Sequence, residues 1–297
     1  MNPTTFPYFK FHALGNDYIV LRQSDTGELS SEQIVRICHR HFGIGSDGIL
    51  LDTQTDKDAP FSLRIFNPDG GEAEKSGNGL RIFSRFLWEM KRVGKEPFEI
   101  ETLGGLVRAR VLVGGSEVRV AMGVVSFTSD VIPMTGTSRE VLRETLTLEN
   151  GEQVEMSAAN IGNPHCIILS DNPTRELAER LGSLIENHKS FPERTNVQFA
   201  KVVNRNQIKI EIWERGAGYT LASGSSSSAT AAVLRRLDLV DSKVLVEMPG
   251  GVLDVTVHDD YQVTMQGDVT QVSYGDFCLE ALDFAVEQVP SKKYAQL

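Results

Sequence analysis

The strongest constraint on this chain is internal. Ala13-Leu14-Gly15-Asn16, followed by Tyr18, Ile19, Val20 and Leu21, recurs as Asn160-Ile161-Gly162-Asn163, followed by Cys166, Ile167, Ile168 and Leu169, 147 residues on. Ser76-Gly77 opening a helical stretch recurs at the same offset of 147 as Ser223-Gly224. The run Leu63–Phe66 with Asn67 after it recurs as Ile210–Trp213 with Glu214, and Glu101–Leu106 returns at an offset of 146 as Glu247–Val252. Four matches in one order at nearly one spacing imply duplication. The length of 297 residues fits two domains of about 100–150 each. The expected division is residues 1–127, completed by 272–297, and residues 128–271, with a linker in the Ser/Thr/Pro/Gly-rich stretch Val125–Arg139.

Within the first copy, Phe9–Ala13, Asp17–Arg22, Gly48–Asp52, Leu63–Phe66, Phe98–Glu101, Leu106–Val113 and Glu117–Met122 read as short strands bounded by turn residues. Apolar spacing predicts helices over Ser31–His41 and Asn78–Val93, and in the second copy over Arg175–Asn187 and Ser225–Leu237. The expected fold class is α+β: two pseudo-symmetric domains, each a mixed or antiparallel sheet wrapped around a central helix, with a cleft between them. The end of the chain, with Leu279, Leu282, Phe284 and Ala285, reads as a short packed helix or a dimer contact.

Composition narrows the partners. A net charge of −10 argues against nucleic acid as a partner. The cysteines Cys38, Cys166 and Cys278 show no pairing pattern, as expected in the cytoplasm. The sequence carries no leader-like start and no apolar run of about 18 residues, so no membrane association is expected.

Gly43-Ile44-Gly45-Ser46-Asp47-Gly48 matches a dinucleotide fingerprint literally, but a helix precedes it and a strand follows, the reverse of what phosphate binding at a helix N-terminus requires. The six histidines lack metal-site spacing; only His165 stands out, because it follows the repeated Gly-Asn element. The serine run Ser223–Ser228 is no nucleophile elbow and reads as a helix N-terminus. Backbone N–H groups and the positive end of a helix dipole there make an anion site, and Ser76-Gly77-Asn78-Gly79 is its twin. Two such ends facing one cleft suit inversion of a carbon beside a carboxylate, which needs one acid/base group on each face of that carbon.

At these residues the sequence resembles diaminopimelate epimerase, a pyridoxal-independent amino-acid epimerase family. The motifs are HALGNDYIVL (His12–Leu21), GIGSDGIL (Gly43–Leu50), NPDGGEAEKSGNG (Asn67–Gly79), IGNPH (Ile161–His165), TNV (Thr195–Val197) and ERGAGYTLASGS (Glu214–Ser225). The resemblance implies a homodimer without cofactor or metal that interconverts LL- and meso-diaminopimelate for lysine and peptidoglycan synthesis. It assigns substrate contacts to Asn16, Asn67, Asn163, Asn196, Glu214 and Arg215, with backbone donors at Gly77, Asn78, Gly224 and Ser225 and a supporting role for His165. Arg215 and the asparagines would hold the distal amino-acid end, and Glu214 would orient the reacting end. The family's acid/base residues are cysteines; here those positions hold Ser76 and Ser223, and Ser228 stands where many members have a third cysteine. Lys75 and Tyr219 also depart from the family pattern. A hydroxyl is less acidic than a thiol by roughly 5–7 pKa units, about 7–10 kcal/mol in the cost of forming the base. The expectation is therefore an inactive or very slow epimerase. Three accounts stay open: engineered replacement, a natural non-catalytic paralogue that binds diaminopimelate or a related amino acid as sensor or partner subunit, or altered chemistry on a more acidic substrate.

Overall fold

The computed structural model describes residues 5–53, 60–112 and 114–282. Val113, Phe284, Ala285 and the stretch 291–297, which figured in the expectations above, lie outside the described residues; Leu279–Leu282 form a short 3₁₀ turn.

Along the first half run β1 (Thr5–Ala13), β2 (Asn16–Arg22), α1 (Gln23–Thr26), α2 (Ser31–Cys38), β3 (Ile49–Asp52), β4 (Phe61–Phe66), β5 (Glu72–Ala73), α3 (Gly77–Glu89), β6 (Phe98–Thr102), β7 (Gly105–Val111) and β8 (Glu117–Val124). Then come β9 (Glu144–Thr147), β10 (Gln153–Asn160), β11 (Pro164–Leu169), α4 (Arg175–Glu186), β12 (Asn196–Asn204), β13 (Gln207–Glu214), β14 (Gly218–Thr220), α5 (Gly224–Arg236), β15 (Lys243–Met248), β16 (Gly251–Val257), β17 (Gln262–Asp268) and β18 (Thr270–Cys278). The architecture is mixed α+β, dominated by strands.

Pairing makes one ribbon of neighbours. From β18 it passes through β1, β2, β3, β4, β6, β7 and β8. It crosses at β8–β17 and continues through β16, β15, β13, β12, β11, β10 and β9. The parallel pairs are β2–β3 and β4–β6 on one side and β11–β12 and β13–β15 on the other, so the same alternation occurs twice. Helices α3 and α5 are both 13 residues long and start and stop 147 residues apart. Their ends are built alike. Lys91 and Asp238 each turn into the left-handed region at φ 56°, and the residues after them, Arg92 and Leu239, return hydrogen bonds to Leu87 and Leu234. That closure ends α3 at Glu89, before the Val93 suggested by apolar spacing. His39 ends α2 similarly early by leaving helical geometry at ψ 123°.

Both central helices are buried on nearly every side. Helix α3 contributes Leu80, Ile82, Phe83, Phe86 and Leu87 to the largest core cluster, and α5 contributes Ala229, Ala231, Ala232, Val233 and Leu234. The turn-rich stretch Val125–Arg139 is packed: Val125, Phe127, Ile132 and Met134 are buried, and Ser126 bridges to Asn160. No helix among the described residues is long and apolar enough to cross a membrane.

The N-termini of α3 and α5 abut. A Cβ on Gly77 would lie 3.3 Å from the Gly224 Cα and 2.6 Å from Met265 Cε; one on Gly224 would lie 2.7 Å from Met265 Sδ. A side chain at either first helical position would have to displace the end of Met265 and crowd the facing glycine. Gly224→Ala is therefore expected to destabilise the protein by about 1–3 kcal/mol although alanine is the better helix former. Equilibrium denaturation checks this, and shortening the obstructing side chain by Met265→Ala in the same chain should show coupling in a double-mutant cycle.

Candidate active site at the paired helix ends

Ser76 and Ser223 are the N-caps of α3 and α5, each in extended geometry, at φ −136° and −145°. Ser76 Oγ accepts the Gly79 N–H at 3.0 Å and Ser223 Oγ accepts the Ser226 N–H at 3.4 Å. Their symmetry is that of the backbone; their neighbours differ. Tyr18 Oη lies 3.3 Å from Ser76 Oγ, and burial pushes the phenol pKa up to about 12, so it stays protonated. Burial also raises the Glu214 carboxyl pKa, and the nearby Ser223 and Thr220 hydroxyls oppose that rise. One hydroxyl thus sits beside a neutral phenol and the other beside a carboxyl group.

Most of the other expected residues fall into small hydrogen-bonded groups, one of which joins the two helix ends. The Asn78 side chain donates to Asn16 Oδ1 at 3.1 Å and to the Ala222 carbonyl at 3.4 Å, joining the two helix ends. His165 Nε2 lies 2.8 Å from Asn163 Oδ1. Asn196 donates to the Pro164 carbonyl at 2.8 Å and accepts the Arg215 N–H at 3.0 Å, which fixes the backbone after Glu214. Arg215 Nη1 rests on the Glu193 carbonyl at 3.1 Å. Asn67 stands exposed in the turn after β4, where its carbonyl accepts from Gly70 N, and no side-chain bond ties it to the others. Gly77, Gly224 and Ser225 open the two helices, with the Ser225 hydroxyl 3.4 Å from that of Ser223.

Two departures from the family pattern point away from the caps. Lys75 Nζ donates to the Met122 carbonyl at 2.6 Å, and burial lowers its pKa. Tyr219 donates to Glu211 at 2.7 Å, and burial together with that carboxylate holds its pKa well above the usual phenol range. Ser228 is fully buried with its hydroxyl unpartnered, as befits a position shaped for a less polar side chain.

Tyr18 was not anticipated, although it stands 147 residues before His165 and the repeat itself marks the position. Gln198 was also missed: it donates to Ser226 Oγ at 3.0 Å and so holds the α5 N-terminus to β12. The glycine-rich loop proves to be a scaffold. Gly48 leaves room for the Tyr18 ring, since a Cβ there would come within 2.7 Å of it, and Asp47 accepts from Asn16 at 3.0 Å.

Comparison with known proteins bears on the fold and the family. The fold matches that of a hydroxyproline epimerase from Agrobacterium vitis, with a TM-score of 0.66 at 16% identity over 96% of this chain and 97% of that one. The family described as diaminopimelate epimerase matches residues 8–128 and 157–272. "Diaminopimelate epimerase 2" of Nostoc sp. (strain PCC 7120 / SAG 25.82 / UTEX 2576) is 53% identical over 95% of this chain and 98% of its own. "Diaminopimelate epimerase 1" of the same organism is 34% identical over 90% of this chain and 98% of its own. The chain thus has the fold of an amino-acid epimerase. It belongs to the diaminopimelate epimerase family.

Burial holds His165 neutral, depressing its pKa from 6.5 to about 3; the nearby Gln198 amide opposes this and the Arg215 charge adds to it. The unfolded state binds this proton below about pH 6.5 while the folded state does not. His165 therefore contributes stability that is complete above pH 6.5 and falls away as the pH drops toward 3. Its share of the slope approaches about 1.4 kcal/mol per pH unit. Denaturation of wild type and His165→Asn between those limits should show a shallower pH dependence in the variant.

Proposed function

We propose that this chain binds diaminopimelate between the paired helix N-termini, and that with Ser76 and Ser223 at the acid/base positions it turns the α-proton over very slowly or not at all. The observation that carries this reading is the contact of α3 and α5 at Gly77 and Gly224, which brings two sets of free backbone donors to one place. A substrate carboxylate held there receives N–H groups from both helices, and negative charge developing on it is stabilised by the same donors. The two capping hydroxyls then stand on opposite faces of the adjacent carbon. Asn163, Asn196 and Arg215 support the distal amino-acid end, and the half-buried Glu214 carboxyl orients the reacting end; Asn67 joins them by the family resemblance.

In a two-base inversion, one group removes the α-proton while the other delivers a proton to the opposite face. Neither Ser76 nor Ser223 has a group beside it suited to ionising a hydroxyl. The Tyr18 phenol is itself a weak acid, and Glu214 is a far weaker base than an alkoxide. The scaffold is retained and the proton-transfer step is starved of a base. We further propose two pseudo-symmetric domains, 1–127 completed by the C-terminal segment and 128–271, and a homodimer formed along β18, which pairs only with β1 among the described residues and exposes Val272 and Tyr274.

A second reading, a non-catalytic paralogue that binds the same amino acid as sensor or partner subunit, is favoured by one further observation. The two Nostoc relatives form a pair in one organism, and this chain is closer to the second, 53% against 34%. Both readings predict binding of diaminopimelate by calorimetry. In D2O, proton NMR of LL-diaminopimelate should show α-proton loss several orders of magnitude slower than an ordinary enzymatic rate. Ser76→Cys with Ser223→Cys should restore exchange if only the bases are missing. Rapid exchange by the unmodified chain, or no ligand binding at millimolar concentration, would overturn the proposal. Light scattering of the purified chain reports the dimer directly.

A further inference from the structure

Arg81 lies in the first turns of α3 and is fully buried, with no carboxylate bonded to it. Its Nε and Nη1 are unpartnered, and the guanidinium packs against Gly267, where a Cβ would lie 2.2 Å from Nη1. Burial pulls its pKa down to about 10. A buried guanidinium with so few partners is costly, and an apolar side chain of similar length would avoid that cost. Its single hydrogen bond is short and specific: Nη2 donates to Asn78 Oδ1 at 2.6 Å.

That bond fixes the polarity of everything downstream. With Asn78 Oδ1 committed to Arg81, the Asn78 NH2 must face Asn16 Oδ1 and the Ala222 carbonyl, at 3.1 and 3.4 Å. Ala222 immediately precedes the cap Ser223, so this amide ties the approach to one helix to the side chain of the other. Asn16 is then set with its oxygen toward Asn78 and its NH2 toward Asp47 Oδ2, at 3.0 Å. Asp47 is held in turn by Arg40 at 2.7 Å and by the Asp17 N–H at 3.1 Å. Asp17 is anchored too: burial would raise its pKa, but bonds from Arg40 and Lys10 outweigh that and hold it at about 2. A cation at one end and an anion at the other leave the two amides a single orientation. Asn16 keeps one N–H unspent, a donor suited to a carboxylate.

The geometry points to Arg81 and Asp47 as positioning residues that act through Asn78 and Asn16, setting the donor polarity of the site and joining its two helix ends. This rests on the reading that diaminopimelate binds there. Arg81→Met removes the guanidinium, and Arg81→Lys keeps the charge without the fork. In the ligand-free full chain, 1H–15N spectra read hydrogen-exchange protection of the Asn16 and Asn78 side-chain amides. Calorimetry reads diaminopimelate affinity, and thermal unfolding reads the fold. In Arg81→Met we expect both amides to lose protection and affinity to fall about tenfold, with partial recovery in Arg81→Lys. Asp47→Asn, at the exposed end of the relay, keeps the idea testable if the buried variants do not fold: protection should be lost at Asn16 and kept at Asn78. Unchanged amide protection and unchanged affinity in the variants, or a lower melting temperature alone, would overturn the relay and leave the functional reading standing. Failure of the parent chain to bind diaminopimelate, with protection still lost in the variants, would sink the functional reading and support the relay.

Discussion

Everything in this molecule converges on the contact between two helix N-termini. Placing them together is electrostatically unfavourable in itself. Each carries about half a positive charge, and two such charges about 5 Å apart in a medium of effective dielectric about 20 repel by roughly 1 kcal/mol. That is small beside the burial of the apolar faces of α3 and α5, so packing can impose the contact. It is comparable with what an anion placed between them would recover. The ligand-free protein relieves the strain locally, with the two serine caps and the Asn78 bridge to the Ala222 carbonyl. The strand ribbon, crossing from β8 to β17 and bringing Met265 against both glycines, is what keeps the ends from drifting apart.

The serines stabilise this contact. Serine is among the best residues at an N-cap, because its hydroxyl accepts a helix N–H that otherwise lacks a partner. Ser76 and Ser223 both do so. Around them Tyr18 is held protonated, His165 is held neutral and Lys75 is directed to a backbone carbonyl. A base at the same positions would instead have to direct an ionised atom toward substrate, which is why the reading proposed above gives these hydroxyls a binding role.

Much of this was legible in the sequence because the duplication prints it twice. The repeat offset gave both central helices and their caps, and the order of elements around the glycine-rich loop was enough to reject a dinucleotide site. What stayed hidden involves long range. The β8–β17 junction and the return of β18 to β1 join residues 138–151 and 258–273 positions apart, and nothing in a two-residue alternation names a partner strand. Arg81 was invisible for a related reason. An arginine in a helix reads as solvent-facing, and only a helix enclosed on all sides by strands buries it.

The two halves are alike in backbone and unlike in side chains, and the chemistry of the family explains why both are needed. Inversion at a carbon asks for equal access to two faces, which the symmetric helix ends supply. The rest of an amino acid is not symmetric about that carbon. At positions 147 residues apart, Tyr18 faces His165 in the repeat, Asn67 faces Glu214, Asn78 faces Ser225 and Arg81 faces Ser228. Each pair has kept its place and lost its identity. In the first half the helix end is locked by a charged relay through Asn78 and Asn16; in the second it is surrounded by hydroxyls, with Gln198 bonded to Ser226 and the neutral His165 to Asn163. On the reading proposed above, a rigid side and a more uniformly polar side would let one orientation of a ligand with unequal ends be preferred, while the paired caps would still treat the two faces of its central carbon alike.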